Sequence, residues 1–147
     1  MAVLRELALD SQVSVRGEPQ PGFPVEPNTS AGDALWLGPD EWLVIDAREE
    51  DFPDAAAVID VSGNRVCLEL VGDDAEDVLA QGCSLDLHPS VFAPGRCAQT
   101  LLAKAQVILH RREAETFRIL VRPSYAPYLR AWLEDAITSP RSSLPRR

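Results

Sequence analysis

The 147-residue sequence has two histidines, three cysteines, few basic residues and no glycine-rich phosphate loop, and each scarcity removes a class of chemistry. No Gly-x-Gly-x-x-Gly, Gly-x-x-x-x-Gly-Lys-Ser/Thr or Gly-x-Ser-x-Gly pattern occurs, so there is no fingerprint for a dinucleotide, a triphosphate or a hydrolase nucleophile. Cys67, Cys83 and Cys97 are odd in number and form no Cys-x-x-Cys pair, which excludes a disulfide framework and a zinc ribbon and suits a reducing cytoplasm. His88 and His110 have no second ligand type one helical turn away, so no metal site is expected and both are read as surface or structural residues. A Cys83/His88 nucleophilic pair lies close in sequence but lacks an orienting third group. Lys and Arg number 14 against 23 Asp and Glu, a net charge of −9 that disfavours nucleic acid and anionic membranes. The basic residues gather only at Arg111-Arg112 and in the tail from Arg141 to Arg147. No apolar run approaches the ~20 residues of a membrane span, and acidic Glu6 and Asp10 interrupt what a signal peptide would keep apolar.

What is present is a tryptophan-flanked turn. Trp36-Leu37-Gly38-Pro39-Asp40-Glu41-Trp42-Leu43-Val44 places Gly-Pro-Asp-Glu turn chemistry between short apolar runs, which predicts a hairpin. Leu35 and Leu37 alternate with Trp36, and Leu43 and Ile45 with Trp42 and Val44, so both faces of this hairpin are apolar and one is expected to be covered by a partner chain. Trp36 and Trp42 are therefore candidate interface residues.

Around the hairpin, residues 1–137 read as one domain, with 17–33 an extended connector rich in Pro and Gly and 138–147 a flexible C-terminal tail. Alternation predicts strands at 12–16, 57–61 and 66–70, the last two as a hairpin about Ser62-Gly63-Asn64. Val66, Leu68 and Leu70 share one face and Arg65, Cys67 and Glu69 the other, the pattern of a sheet covered on one side. A short helix is expected at about 74–81 with Gly82 as its stop. Three strands follow at 96–103, 105–111 and 116–122. A final helix is capped by Ser124 and carries Tyr125, Tyr128, Leu129, Trp132, Leu133 and Ala136 on its apolar stripe. It is expected to end near Thr138, before Pro140. The fold class is α+β: a mainly antiparallel sheet with two helices on one face.

Several of these segments, in order, resemble the gamma subunit of heterotetrameric sarcosine oxidase. The likeness rests on Gln12-Val13-Ser14-Val15-Arg16-Gly17, Leu35 to Leu43, Leu79 to His88, Gly95-Arg96-Cys97-Ala98-Gln99-Thr100-Leu101-Leu102, Phe117 to Tyr125, Tyr128-Leu129 and Trp132-Leu133. It implies a cytoplasmic, non-catalytic chain that helps assemble and stabilise an enzyme of sarcosine catabolism and one-carbon metabolism. That enzyme oxidatively demethylates sarcosine to glycine, using tetrahydrofolate and oxygen. The partners implied are alpha, beta and delta subunits, with FAD, FMN, NAD, tetrahydrofolate and zinc on those chains and none on this one. The fold is similar to part of the folate-binding aminomethyltransferase-type domain, through Pro94 to Leu102. A small stand-alone folate-binding or one-carbon-transfer protein is the alternative this raises. An iron–sulfur assembly relative would need Lys-Gly-Cys-Tyr-x-Gly-Gln where this chain has Gln81-Gly82-Cys83-Ser84-Leu85-Asp86.

Overall fold

The structure, a computed structural model, describes residues 1–139. The expected tail lies, from residue 140 onward, outside the described residues. Ten strands and two α-helices follow in the order β1 (Val3–Leu7), β2 (Gln12–Arg16), β3 (Ser30–Ala31), β4 (Ala34–Gly38), β5 (Glu41–Ile45), β6 (Ala57–Asp60), β7 (Val66–Val71), α1 (Ala75–Ala80), β8 (Cys97–Leu102), β9 (Ala105–Glu113), β10 (Thr116–Val121) and α2 (Ala126–Thr138). The strands form two five-stranded antiparallel sheets, ordered β1-β7-β10-β9-β8 and β3-β4-β5-β2-β6. The α+β class and the two helices on one face are as expected; the second sheet is the addition.

Period-two alternation explains how the layers stack. Leu68 and Leu70 of β7, Val107 and Leu109 of β9, and Phe117, Ile119 and Val121 of β10 point to one side, where they meet Val78 and Leu79 of α1 and Leu129 and Leu133 of α2. The opposite positions, Cys67, Ile108, Leu120 and Cys97, meet Leu35, Leu43 and Ile45 of the second sheet. The first sheet is thus buried on both faces, correcting the expectation of a single covered face. Cys67 and Glu69 disguised the second apolar face, one by being small and the other by being charged. Glu69 is buried because Arg5 on β1 and Arg118 on β10 are its register partners across two strands. Arg5 donates from Nη2 at 2.7 Å and Arg118 from Nε at 3.3 Å, one to each carboxylate oxygen.

β6 and β7 do not form the expected hairpin. β6 pairs with β2, whereas β7 pairs with β1 and β10, so the turn at 61–65 hands the chain from one sheet to the other. Gln12 holds that crossover: its backbone N–H donates to Ser62 Oγ at 3.0 Å and its side-chain amide to the Arg65 carbonyl at 2.8 Å. β1 has no counterpart among the sequence expectations.

The final helix begins one residue later than expected, with Tyr125 rather than Ser124 at the cap position and Pro127 in the first turn. Its buried stripe is Leu129, Leu133, Ala136 and Ile137; Tyr125 and Tyr128 are exposed. Trp132 is partly buried and packs on the helix-side core. Gly82 follows α1 and leaves room for this ring. A Cβ there would lie 2.5 Å from Trp132 Cζ2 and 2.6 Å from Cη2. Gly82→Ala is therefore expected to push the indole off the core and destabilise the chain by about 1–3 kcal/mol, read from a urea unfolding midpoint. Among the described residues no helix is long and apolar enough to cross a membrane.

Candidate functional site

His110, Cys97 and Arg111 are engaged in hydrogen bonds within the fold. His110 is buried between the sheets, and its Nε2 lies 2.8 Å from Ser30 Oγ. The Ser30 hydroxyl donates to the Gly95 carbonyl at 3.0 Å, so it accepts from His110 and fixes the proton on Nε2. Burial first, then the positive charges of Arg112 and Arg118, hold the imidazole down at about 4, against a smaller opposing pull from Asp33. The ring is neutral at physiological pH.

A measurable pH dependence follows from this site. The unfolded chain takes up a proton near pH 6.5 that the folded chain refuses until about pH 4, so stability is full above 6.5 and falls as pH drops through that window. The loss is at most about 3 kcal/mol. His110→Gln, whose amide nitrogen replaces Nε2 toward Ser30, is expected to flatten the dependence of the unfolding midpoint between pH 6.5 and 4.

Cys83 and His88 are not brought together. Cys83 is buried in the helix-side core, while exposed His88 uses Nδ1 to accept the Ser90 backbone N–H at 3.1 Å. Cys67 and Cys97 are pushed up to about 11 mainly by burial, which keeps both thiols protonated. Among the described residues no group of three or more His, Cys, Asp or Glu side chains is placed to hold a metal.

The adjacent arginines, a basic cluster on paper, part company in the fold. Arg112 pairs with Asp33 at 2.8 Å. Arg111 is 3% exposed and uses all five of its N–H donors. Nη1 donates to the carbonyls of Leu87 (2.9 Å) and Phe92 (3.0 Å), and Nη2 to Glu76 Oε1 (3.1 Å) and the Ala114 carbonyl (2.7 Å). Nε donates to the same Ala114 carbonyl at 3.2 Å, and the guanidinium lies 4.8 Å from the Phe117 ring centroid. This side chain ties the irregular stretch between α1 and β8 to the end of β9.

The tryptophan hairpin forms as expected, with Trp36 and Trp42 directly opposite each other on β4 and β5 and therefore on one face. That face points away from the first sheet, and the chain covers most of it with its own loops. Phe23, from the 17–33 connector, lies 5.4 Å from the Trp42 ring and 5.3 Å edge-on from Phe52. Trp42 Nε1 donates to the Pro24 carbonyl at 2.8 Å. Trp42 is 0% exposed, so it is core, and the cover expected from a partner is supplied by the connector. Trp36 is half-buried and reaches the surface beside Leu37, whose carbonyl accepts from Gln99 Nε2 at 2.9 Å. Sequence reasoning missed that link, which ties the rim of the hairpin to β8 of the first sheet.

Comparison with known proteins agrees with this architecture. The model of the "Sarcosine oxidase, gamma subunit family" matches residues 25–139. The sarcosine oxidase subunit gamma of an Arthrobacter species is 35% identical, with 92% of this chain and 80% of that one aligned. That of Corynebacterium sp. strain U-96 is 34% identical over 92% and 78%. Among solved structures, a chain of the heterotetrameric sarcosine oxidase from Corynebacterium sp. U-96, in complex with pyrrole 2-carboxylate, superposes with a TM-score of 0.85 at 31% identity, covering 99% of this chain and 88% of that one.

Proposed function

This chain belongs to the sarcosine oxidase gamma subunit family, and on that premise we propose that it is the non-catalytic assembly chain of a heterotetrameric sarcosine oxidase. The observation that carries the reading is the match of 99% of the chain, at a TM-score of 0.85, to a chain of such a heterotetramer. The use of His110, Cys97 and Arg111 in the fold's own hydrogen bonds supports it. In this reading the alpha, beta and delta subunits are the partners. FAD, FMN, NAD, tetrahydrofolate and zinc sit on those chains, and the complex demethylates sarcosine to glycine. Trp36, the ring of the pair that reaches the surface, contacts a large subunit.

The test is omission. The other three subunits are co-expressed with and without this chain, and the yield of assembled flavoprotein and its turnover per flavin are measured separately. An assembly role lowers the yield while leaving the turnover of whatever assembles unchanged. Equal yield with lost turnover would place this chain in the chemistry instead.

A further inference from the structure

The first sheet carries two rows of charged side chains on the face that points toward the second sheet. In the first row, Arg5, Glu69 and Arg118 sit in register on β1, β7 and β10, and one carboxylate balances two arginines. The second row lies at the opposite end of the same strands. One residue beyond the pairings of Val121 with Val66 and Val107, Arg122 falls between Arg65 and Gln106. No carboxylate stands in this row. Like charges on neighbouring strands are unfavourable, and burial followed by the repulsion of Arg122 pulls Arg65 below its ordinary value. The acid whose charge acts on Arg65 is Glu41, which is already paired with Arg16 at 3.4 Å. Among the described residues neither Arg65 nor Arg122 makes an ion pair.

These two arginines face a groove of about 380 Å³, lined also by Gln99, Leu101, Gln106 and Ile108. Leu101, 52% exposed, gives it an apolar lip, and Gln99 joins it to the Trp36 hairpin through the Leu37 carbonyl. An uncompensated arginine pair beside exposed apolar surface fits the carboxylate of an acidic segment on a partner, while the net charge of −9 sets two copies of this chain against each other. We infer that the Arg65/Arg122 groove docks an acidic segment of a large subunit, whose carboxylate completes the second row as Glu69 completes the first. The inference rests on the assembly reading above and deepens it by assigning the contact.

The experiment is capture of this chain by a tagged large subunit co-expressed with it, washed at increasing salt. Wild type, an Arg65→Gln/Arg122→Gln pair and an Arg65→Lys/Arg122→Lys pair are compared. The glutamine pair is expected to be captured at least about tenfold less than wild type, with the salt dependence of capture lost, and the lysine pair to recover part of both. Arg65 is half-buried and Arg122 exposed, and their replacement breaks no ion pair among the described residues and, by glutamine, relieves their mutual repulsion, so the thermal melts of the variants should stay at or above that of wild type. Equal capture of wild type and the glutamine pair, with the same salt dependence, overturns the groove while leaving the assembly reading standing. Failure of wild type itself to be captured overturns the assembly reading, and the groove with it.

Discussion

Arg111→Ala is expected to destabilise the chain by about 3–5 kcal/mol, a fall of roughly 10 °C or more in the melting temperature. The reason is what stays behind. Glu76, 8% exposed, loses its guanidinium partner at 3.1 Å, the buried carbonyls of Leu87 and Phe92 lose their donors, and the Ala114 carbonyl nearer the surface loses two more. The Phe117 ring loses the cation at 4.8 Å as well. Arg111→Lys keeps the charge but presents three donors from one point instead of five from a planar fork, so it is expected to recover less than half of the loss. Hydrogen exchange locates the damage: residues 83–96, between α1 and β8, should lose protection first. Uniform loss of protection across both sheets would show that Arg111 is not the specific tie of that stretch.

The second large effect separates the two hairpin tryptophans. Trp42→Ala removes a fully buried indole, its 2.8 Å bond to Pro24 and its contact with Phe23, and is expected to cost about 3–5 kcal/mol. The connector should then lift from the outer face, opening residues 17–29 to limited proteolysis at a protease concentration that spares wild type. Trp42→Phe keeps most of the packing and loses the Pro24 bond, for about 1–2 kcal/mol. Half-buried Trp36 gives the contrast. Trp36→Ala is expected to shift the melt of the isolated chain less than Trp42→Ala does, yet reduce its incorporation into the complex more than that shift explains. A Trp36 variant that melts like the Trp42 variant and assembles in proportion would place both rings in the core.

Local periodicity made much of this legible in the sequence. The hairpin, the strands of the second half and both helices follow from patterns of two and of 3.6 that hold over five or more residues. Strand partnership does not follow from such patterns, which is why 57–61 and 66–70 were expected to pair with each other when each pairs with a strand far away in sequence. The polar Ser62-Gly63-Asn64 turn that crosses between sheets resembles one that closes a hairpin. β1 went unread because Val3-Leu4-Arg5-Glu6-Leu7 does not alternate and is bounded by no strong turn signal.

The buried charges were the larger omission, and one of them had left a trace. Arg111 continues the face of Val107 and Leu109 along β9, whereas Arg112 shares the opposite face with His110. Alternation alone therefore set the two arginines on different sides, although their adjacency in sequence made them one basic cluster. Glu69 carried no such trace. Its burial depends on Arg5 and Arg118 arriving from strands distant in sequence, so only the register exposes it. The apolar outer face of the hairpin was legible too, but not its cover. A Pro- and Gly-rich connector reads as solvated, and nothing local announces that Phe23 will close over Trp42.

On the proposed assembly role, this chain works as one subunit of a larger enzyme. Co-expression with the alpha, beta and delta chains, followed by size-exclusion chromatography with mass determination on the eluted peak, tests it most directly. One copy of this chain in a four-chain particle is expected, with a reduced yield of assembled particle when the chain is left out. A chain that always elutes alone, while the other three assemble to full yield and activity, would contradict it.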